Sequence, residues 1–168
     1  MNREPELDEL TAMGDLAARI ARLEAESAIR RLKARYLNAC DRKDVPGIRA
    51  CFTPDAKIEY PPLGRFDPEG LVAIFEQLAA TTPIVDAHQG HNADIVVGDA
   101  DNAEGRWHLS FTTYDPRSGA FRLMSTFYED RYVRTPDGWR IAATRSEPRM
   151  IVDGVLAEGA ITANWTPA

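Results

Sequence analysis

Apolar residues recur every three or four positions along the first forty residues of the chain. The pattern runs from Leu10 to Cys40, with apolar residues at Met13, Leu16, Ala17, Ile20, Leu23, Ile29, Leu32 and Tyr36. This spacing predicts one long amphipathic helix, with room for a bend. The charged residues on its other faces, Lys33 among them, are predicted to form a solvated surface.

Two shorter helices and a strand follow in the pattern. Asp44 is placed to cap a helix that has Pro46 in its first turn, and Asp67 with Pro68 opens another. Between these helices, residues 56–60 alternate between apolar and polar as a strand does, and residues 61–64 predict a loop.

The apolar pattern changes to strict alternation after Pro83. Turn signals divide it into four strands near residues 84–97, 103–114, 120–134 and 139–150, and a meander is the simplest arrangement. Helices followed by a mostly antiparallel sheet predict an α+β fold. We expect one domain over residues 15–150, with a tail and helix start at 1–14 and an extension at 151–168 that folds over the pocket or a neighbour.

Charge and composition argue against several classes of partner and location. The net charge is −6 and no cluster of lysine and arginine occurs, which argues against nucleic acid and an anionic membrane as partners. The acidic N-terminus is unlike a signal peptide, and no apolar run approaches a membrane span. Two cysteines without an export signal are poor evidence for a disulfide framework, so the expected location is cytoplasmic.

The segment His88-Gln89-Gly90-His91-Asn92 holds two of the three histidines. Imidazole can take up or release a proton near neutral pH, so proton-transfer chemistry is the first hypothesis for this segment. Positions three apart on a strand point to opposite faces, and we expect His88 to be the inward one. Its candidate partners are Tyr36 and Asp41, which lie about 140° apart near the end of the long helix.

Other sites compete with this interpretation. Asp86, His88, His91 and His108 are of the types that bind a metal ion, but their spacing matches no known metal motif. No glycine-rich nucleotide loop occurs either, so we predict no metal and no cofactor. Arg145 is a candidate anchor for an anionic group if it points inward, with a salt bridge at the sheet edge as the alternative.

Several short motifs together resemble one superfamily. They are Tyr36 with Asp41 and Asp44, the run Phe52-Thr53-Pro54-Asp55-Ala56, the segment His88 to Asn92, and Gly138-Trp139-Arg140-Ile141. In this order and spacing they resemble the SnoaL-like branch of the nuclear transport factor 2-like superfamily, over roughly residues 15 to 150. The nearest likeness is to scytalone dehydratase-like and bile-acid dehydratase-like proteins.

The resemblance implies a cone of helices and curved sheet around a mostly apolar pocket. It also implies catalytic roles for Tyr36, Asp41 and His88, in which the tyrosine donates to a substrate carbonyl. Relatives often carry an acidic residue a few places after the tryptophan, and this chain has His108-Leu109-Ser110-Phe111 after Trp107 instead. The residues expected to bind substrate are Tyr60, His91, Trp107, Phe127 and Arg145.

The favoured function is that of a cofactor-independent lyase of dehydratase type, or an isomerase, acting by general acid/base catalysis. Its substrate would be a small cyclic or polycyclic hydroxy-carbonyl compound. The alternative is a non-catalytic domain of the same fold that binds a small hydrophobic molecule or serves assembly. A homodimer or homotrimer is expected in either case, because the open sheet face carries aromatic residues that association would cover.

Overall fold

The computed structural model describes residues 4–61, 63–81, 84–98 and 101–156. Within these ranges three helices and six strands follow one another: α1 (Glu4–Arg42), α2 (Val45–Arg49), β1 (Phe52–Tyr60), β2 (Gly64–Phe66), α3 (Pro68–Thr81), β3 (Val85–Val97), β4 (Asn102–Tyr114), β5 (Ala120–Thr135) and β6 (Gly138–Val155). The α+β prediction is confirmed. No described helix has the length and apolar character needed to cross a membrane.

The helix starts follow the capping residues expected from the sequence. The Asp44 carboxylate accepts a hydrogen bond from the Gly47 N–H at 3.0 Å and caps α2. Asp67 does the same for α3, where the Gly70 N–H donates at 2.8 Å. Both carboxylates satisfy backbone donors that the first helical turn leaves without a partner.

The six strands form one sheet in the order β2-β1-β6-β5-β4-β3. Strands β3 to β6 form the predicted antiparallel meander, and β1 adds to β6 in parallel. Strand β1 begins at Phe52, four residues before the predicted strand, and an irregular register between Phe52 and Lys57 accommodates Pro54. The predicted loop at 61–64 is one residue too long, because the short strand β2 begins at Gly64. This glycine has a φ of +129°, a conformation that favours glycine.

Strand β6 is longer than its alternation indicated, because it continues to Val155. The boundary expected at residue 150 therefore falls inside a strand, and residues 151–155 pair with β5. The expected cover by the C-terminal stretch around Trp165 lies outside the described residues.

Among the residues of α1 whose side chains the structure describes, 13–42, those that pack on the sheet lie in the second half of the helix. Its buried residues begin at Ala25 and include Ile29 and Leu32, which join Ile58 and Ile141 from the strands in one apolar core. This helix covers one side of the sheet and leaves the other side open. The side of the sheet on which a residue lies therefore decides whether it can contribute to an enclosed site.

The pairing register assigns those sides. His88 lies opposite Phe111, Phe111 opposite Met124, and Met124 opposite Ile151, so these residues form one row across four strands on the side that α1 covers. A β-bulge between His91 and Asp94, with Asn92 at a φ of +49°, shifts the alternation in β3 beyond this row.

Candidate active site

The end of α1 is built to present Asp41 to strand β3. The Lys43 N–H donates to the Cys40 carbonyl at 3.2 Å and the Asp44 N–H to the Ala39 carbonyl at 2.9 Å. With Lys43 at a φ of +55°, these bonds form a Schellman motif, which ends the helix one residue after Asp41. Asp41 thus lies in the last turn, facing the adjacent strand.

Asp41 and His88 form a closely hydrogen-bonded pair. The Asp41 carboxylate lies 2.6 Å from Nδ1 of His88 and also accepts the His88 backbone N–H, at 3.0 Å to Oδ1. A carboxylate accepts hydrogen bonds and cannot donate one, so Nδ1 carries the proton and Nε2 of the neutral ring is left with a free lone pair. The His88 side chain is 15% exposed.

The surroundings of His88 are apolar on one side and charged on the other. The Phe111 ring packs against the imidazole with the ring centroids 4.5 Å apart. Next to this row, the Lys43 ammonium contacts the Asp86 carboxylate at 2.5 Å and ties the end of α1 to β3. The pair restrains the distance between helix and strand, which sets the contact between Asp41 and His88.

A surface depression of about 560 Å³ lies where the ends of β4, β5 and β6 meet. Its lining includes Thr113, Arg122 and Asp153, which belong to the same transverse row as Asp86 and adjoin the row of His88. The Arg122 guanidinium binds the Asp153 carboxylate through two nitrogens, at 2.7 and 3.0 Å. The depression has a charged rim and adjoins the row of His88, and its lining does not include Asp41 or His88 themselves.

Tyr36 and Tyr60 come together in the interior, as a second group. Their hydroxyl oxygens are 2.8 Å apart, and both residues are buried. Burial raises the pKa of Tyr36 and of Tyr60, so both phenols stay protonated at neutral pH. The structure thus gives the Tyr36 hydroxyl a partner in Tyr60, whereas Asp41 pairs with His88.

A charged network lies beneath the tyrosine pair. The Lys33 ammonium contacts Asp130 at 2.7 Å, and the two side chains are 1% and 0% exposed. The same carboxylate accepts hydrogen bonds from the hydroxyls of Tyr132 and Thr144, each at 2.6 Å. The prediction that Lys33 belongs to a solvated helix face is wrong, because the residue faces β5. Its partner is 97 residues away, so sequence spacing gave no signal for the pair.

Trp107 belongs to this buried network. Its indole N–H donates to the Tyr132 hydroxyl at 2.9 Å, and the residue is buried on the side that α1 covers. Burial raises the pKa of Tyr132, and the negative charge of Asp130 adds to the effect. Trp107 therefore extends the network that holds Asp130.

The structure separates three of the expected substrate-binding residues from His88. His91 and Phe127 both pair with His108 on the neighbouring strand, which places these two expected residues on the open side of the sheet. Arg145 shares that side and is 55% exposed, 3.8 Å from Glu59 and 3.9 Å from Glu129. The cause is the register. His91 and Phe127 lie three residues from His88 and Met124, and an odd separation puts a side chain on the opposite face; Arg145 pairs with Glu129, five residues from Met124.

The candidate metal ligands are divided in the same way. His91 and His108 lie on the open face, where Nε2 of His108 is 2.8 Å from the Ser125 hydroxyl. His88 and Asp86 lie on the covered face, and each already has a close partner. Among the described residues, no three His, Cys, Asp or Glu side chains are grouped to hold a metal ion.

The chain has a long helix packed on a curved, mostly antiparallel sheet. This is the cone-shaped fold of the nuclear transport factor 2-like proteins. Residues 21–145 match the SnoaL-like domain family. The match spans most of the chain, and the protein belongs to this family. The resemblance inferred from the sequence motifs is confirmed.

Known proteins support this placement. An uncharacterized protein of Mycobacterium tuberculosis is 31% identical over 127 residues, which are 73% of this chain and 84% of the relative. The crystal structure of LinA aligns with a TM-score of 0.74 at 19% identity, covering 86% of this chain and 98% of LinA. A Novosphingobium aromaticivorans protein provisionally called a scytalone dehydratase aligns with a TM-score of 0.73 at 17% identity, covering 82% and 92%. At these identities the solved structures show the fold.

Proposed function

We propose that the protein is a cofactor-independent lyase in which His88 removes a proton from a carbon atom of a small cyclic substrate. The observation that carries the proposal is the 2.6 Å contact between Asp41 and Nδ1 of His88. This contact fixes the tautomer and the orientation of the ring, and it stabilises the imidazolium that forms when Nε2 takes up a proton. A single histidine with these properties is a general base.

The chemistry of an elimination fits one such base. Nε2 of His88 takes the proton, the electron pair of the broken C–H bond forms a C=C bond, and the bond from the neighbouring carbon to the leaving group breaks. Hydroxide must leave as water, and the imidazolium of His88 can return the proton to it. The Asp41 carboxylate accepts two N–H groups of His88, so its assigned role is to hold the imidazole.

The surroundings favour a substrate with both apolar and polar parts. Phe111 and Met124 continue the row of His88 and offer apolar contacts, while the charged pairs in the adjoining row can contact oxygen atoms. A cyclic hydroxy-carbonyl compound has this character, and the carbonyl acidifies the neighbouring C–H bond. Two solved neighbours support eliminations as a class, since one is provisionally called a scytalone dehydratase and LinA type 2 is a hexachlorocyclohexane dehydrochlorinase.

A substrate panel tests the proposal. The wild-type protein is incubated with cyclic β-hydroxy ketones and with chlorinated cyclohexanes, and formation of the unsaturated product is followed by absorbance and NMR. We expect elimination from at least one compound, with loss of about a hundredfold or more of the rate in His88→Gln, because general base catalysis contributes about that much.

His108→Gln is the matched control, because His108 lies on the open face of the sheet, away from His88. It should retain the wild-type rate. Elimination at equal rates in the wild type and in His88→Gln, or no elimination from either compound class, would contradict the proposal.

A further inference from the structure

The first half of α1 carries an apolar stripe that the domain leaves uncovered. Met13, Leu16, Ile20 and Leu23 are 68%, 54%, 47% and 65% exposed, although each is a large hydrophobic residue. A methyl group added at Gly14, on the other side of this segment, would meet no atom within 4 Å beyond the helix itself. The segment therefore extends beyond the part of α1 that packs on the sheet.

The stripe and the buried face of α1 lie on opposite sides of the helix. At 100° per residue, the mean direction of the stripe is about 170° from that of Ala25, Ile29, Leu32 and Tyr36, which pack on the sheet. The apolar pattern thus changes sides between Leu23 and Ala25. A partner lying along the stripe would not collide with this protomer's own sheet, and the stripe cannot pack on that sheet.

The spacing of the stripe is that of a two-stranded coiled coil. Intervals of three, four and three residues put Met13 and Ile20 at a positions and Leu16 and Leu23 at d positions of two heptads. The β-branched residue at a and the leucines at d are the choices that favour two parallel helices. Two heptads are short, but α1 is already folded by the packing of its second half, so association need not nucleate the helix.

The charges beside the stripe select the orientation of the partner. In this register Arg19 is a g position and Glu24 is the e position five residues later, the two positions that face each other across a parallel pair. In a parallel pair, Arg19 of one helix would therefore lie beside Glu24 of the second helix, and Glu24 of the first beside Arg19 of the second. An antiparallel pair that aligns the same four apolar residues would bring the two copies of Arg19 together instead.

We propose that this stripe is an interface between two copies of the chain, which associate through residues 13–26 of α1 as a parallel helix pair. The proposal does not depend on the proposed catalytic function. It places the contact on the helix, distinct from the open sheet face on which the expected homo-oligomer was based.

Sedimentation velocity on matched variants of the full chain tests the interface. Ile20→Lys puts a charge in the seam, and Ala18→Lys puts the same charge on the exposed opposite side of the helix. We expect wild type and Ala18→Lys to form dimers with the same dissociation constant. The dissociation constant of Ile20→Lys should be about tenfold or more higher. Circular dichroism and the melting temperature verify that both variants are folded.

Charge reversal tests the orientation. Arg19→Glu and Glu24→Arg alone should each weaken the association by about threefold or more, and the double variant should restore it, because it re-forms both pairs with the signs exchanged. Leu16→Cys should form a disulfide-linked dimer on oxidation, since a d residue meets its own copy only in a parallel pair, whereas Ala18→Cys should not. Both native cysteines are buried, so they do not interfere.

Several results would overturn the proposed interface or its parallel orientation. Equal association of Ile20→Lys and wild type, or a wild-type chain that stays monomeric at several hundred micromolar, would overturn the proposal. Binding of the monomeric wild type to vesicles that contain anionic lipid, lost in Ile20→Lys, would assign the stripe to a membrane surface instead. Failure of the double charge reversal to restore association would overturn the parallel arrangement.

Discussion

Replacing Lys33 by methionine is expected to lower the free energy of unfolding by about 3–5 kcal/mol, because it leaves the carboxylate of Asp130 buried without its counter-ion. Asp130 is 2% exposed and keeps only the hydrogen bonds from Tyr132 and Thr144 in the variant. Two neutral donors cannot replace the contact with the ammonium. Urea unfolding monitored by tryptophan fluorescence measures the change.

Lys57→Met is the control for this substitution. Lys57 is exposed on β1, so the same exchange there should change the stability by no more than about 0.5 kcal/mol. The double variant Lys33→Met/Asp130→Asn should be more stable than the sum of the single effects predicts, since it removes both charges together. A loss below about 1 kcal/mol in Lys33→Met would contradict the expectation that the Asp130 carboxylate is costly to bury without its counter-ion.

Replacing Asp41 by asparagine is expected to lower the elimination rate by about a thousandfold while leaving the fold intact. Both N–H groups of His88 lie nearest to Oδ1, the position at which asparagine carries either its oxygen or its NH₂ group. With the oxygen there, the amide accepts both N–H groups but has no negative charge; with the NH₂ group there, it favours the ring tautomer with the proton on Nε2, which cannot act as the base. In both orientations the charge that stabilised the imidazolium is lost.

Asp44→Asn provides the matched control, three residues along the chain. Asp44 caps α2, and asparagine is an equally good capping residue, so both rate and stability should stay close to those of the wild type. The elimination rate is measured with the best compound of the substrate panel. A rate in Asp41→Asn within about threefold of the wild-type rate would exclude Asp41 as the partner on which the mechanism depends.

Local sequence patterns predicted the elements that depend on local physics. Apolar periodicity gave the long helix and the meander, and capping carboxylates at Asp44 and Asp67 gave the starts of α2 and α3. The parallel pairing of β1 with β6 was not predicted, because no local signal marks a contact between segments about 90 residues apart. The change of the apolar face of α1 to the opposite side of the helix, between Leu23 and Ala25, was not predicted either. Apolar residues continue through this point at intervals of three or four, so their spacing alone does not show that the face changes.

The candidate site shows the same division. Asp41 and His88 were singled out by residue type and by resemblance, and the structure brings them together. His91, Phe127 and Arg145 were grouped with them before the register was known, and the register puts them on the other face. Lys33 and Asp130 were missed because a lysine among charged helix residues is usually solvated, and only the folded chain shows the carboxylate that it meets.

The most direct test of the Asp41–His88 pair is the tautomer of the His88 ring, which needs no substrate. Long-range ¹H–¹⁵N NMR distinguishes protonated from unprotonated ring nitrogens, and with three histidines in the chain the His88→Gln variant assigns the signal. We expect neutral His88 in the wild type to carry its proton on Nδ1 and to have an unprotonated Nε2, with this preference weaker in Asp41→Asn. A wild-type ring protonated on Nε2 would contradict the account, because the nitrogen that must remove the substrate proton would already hold one.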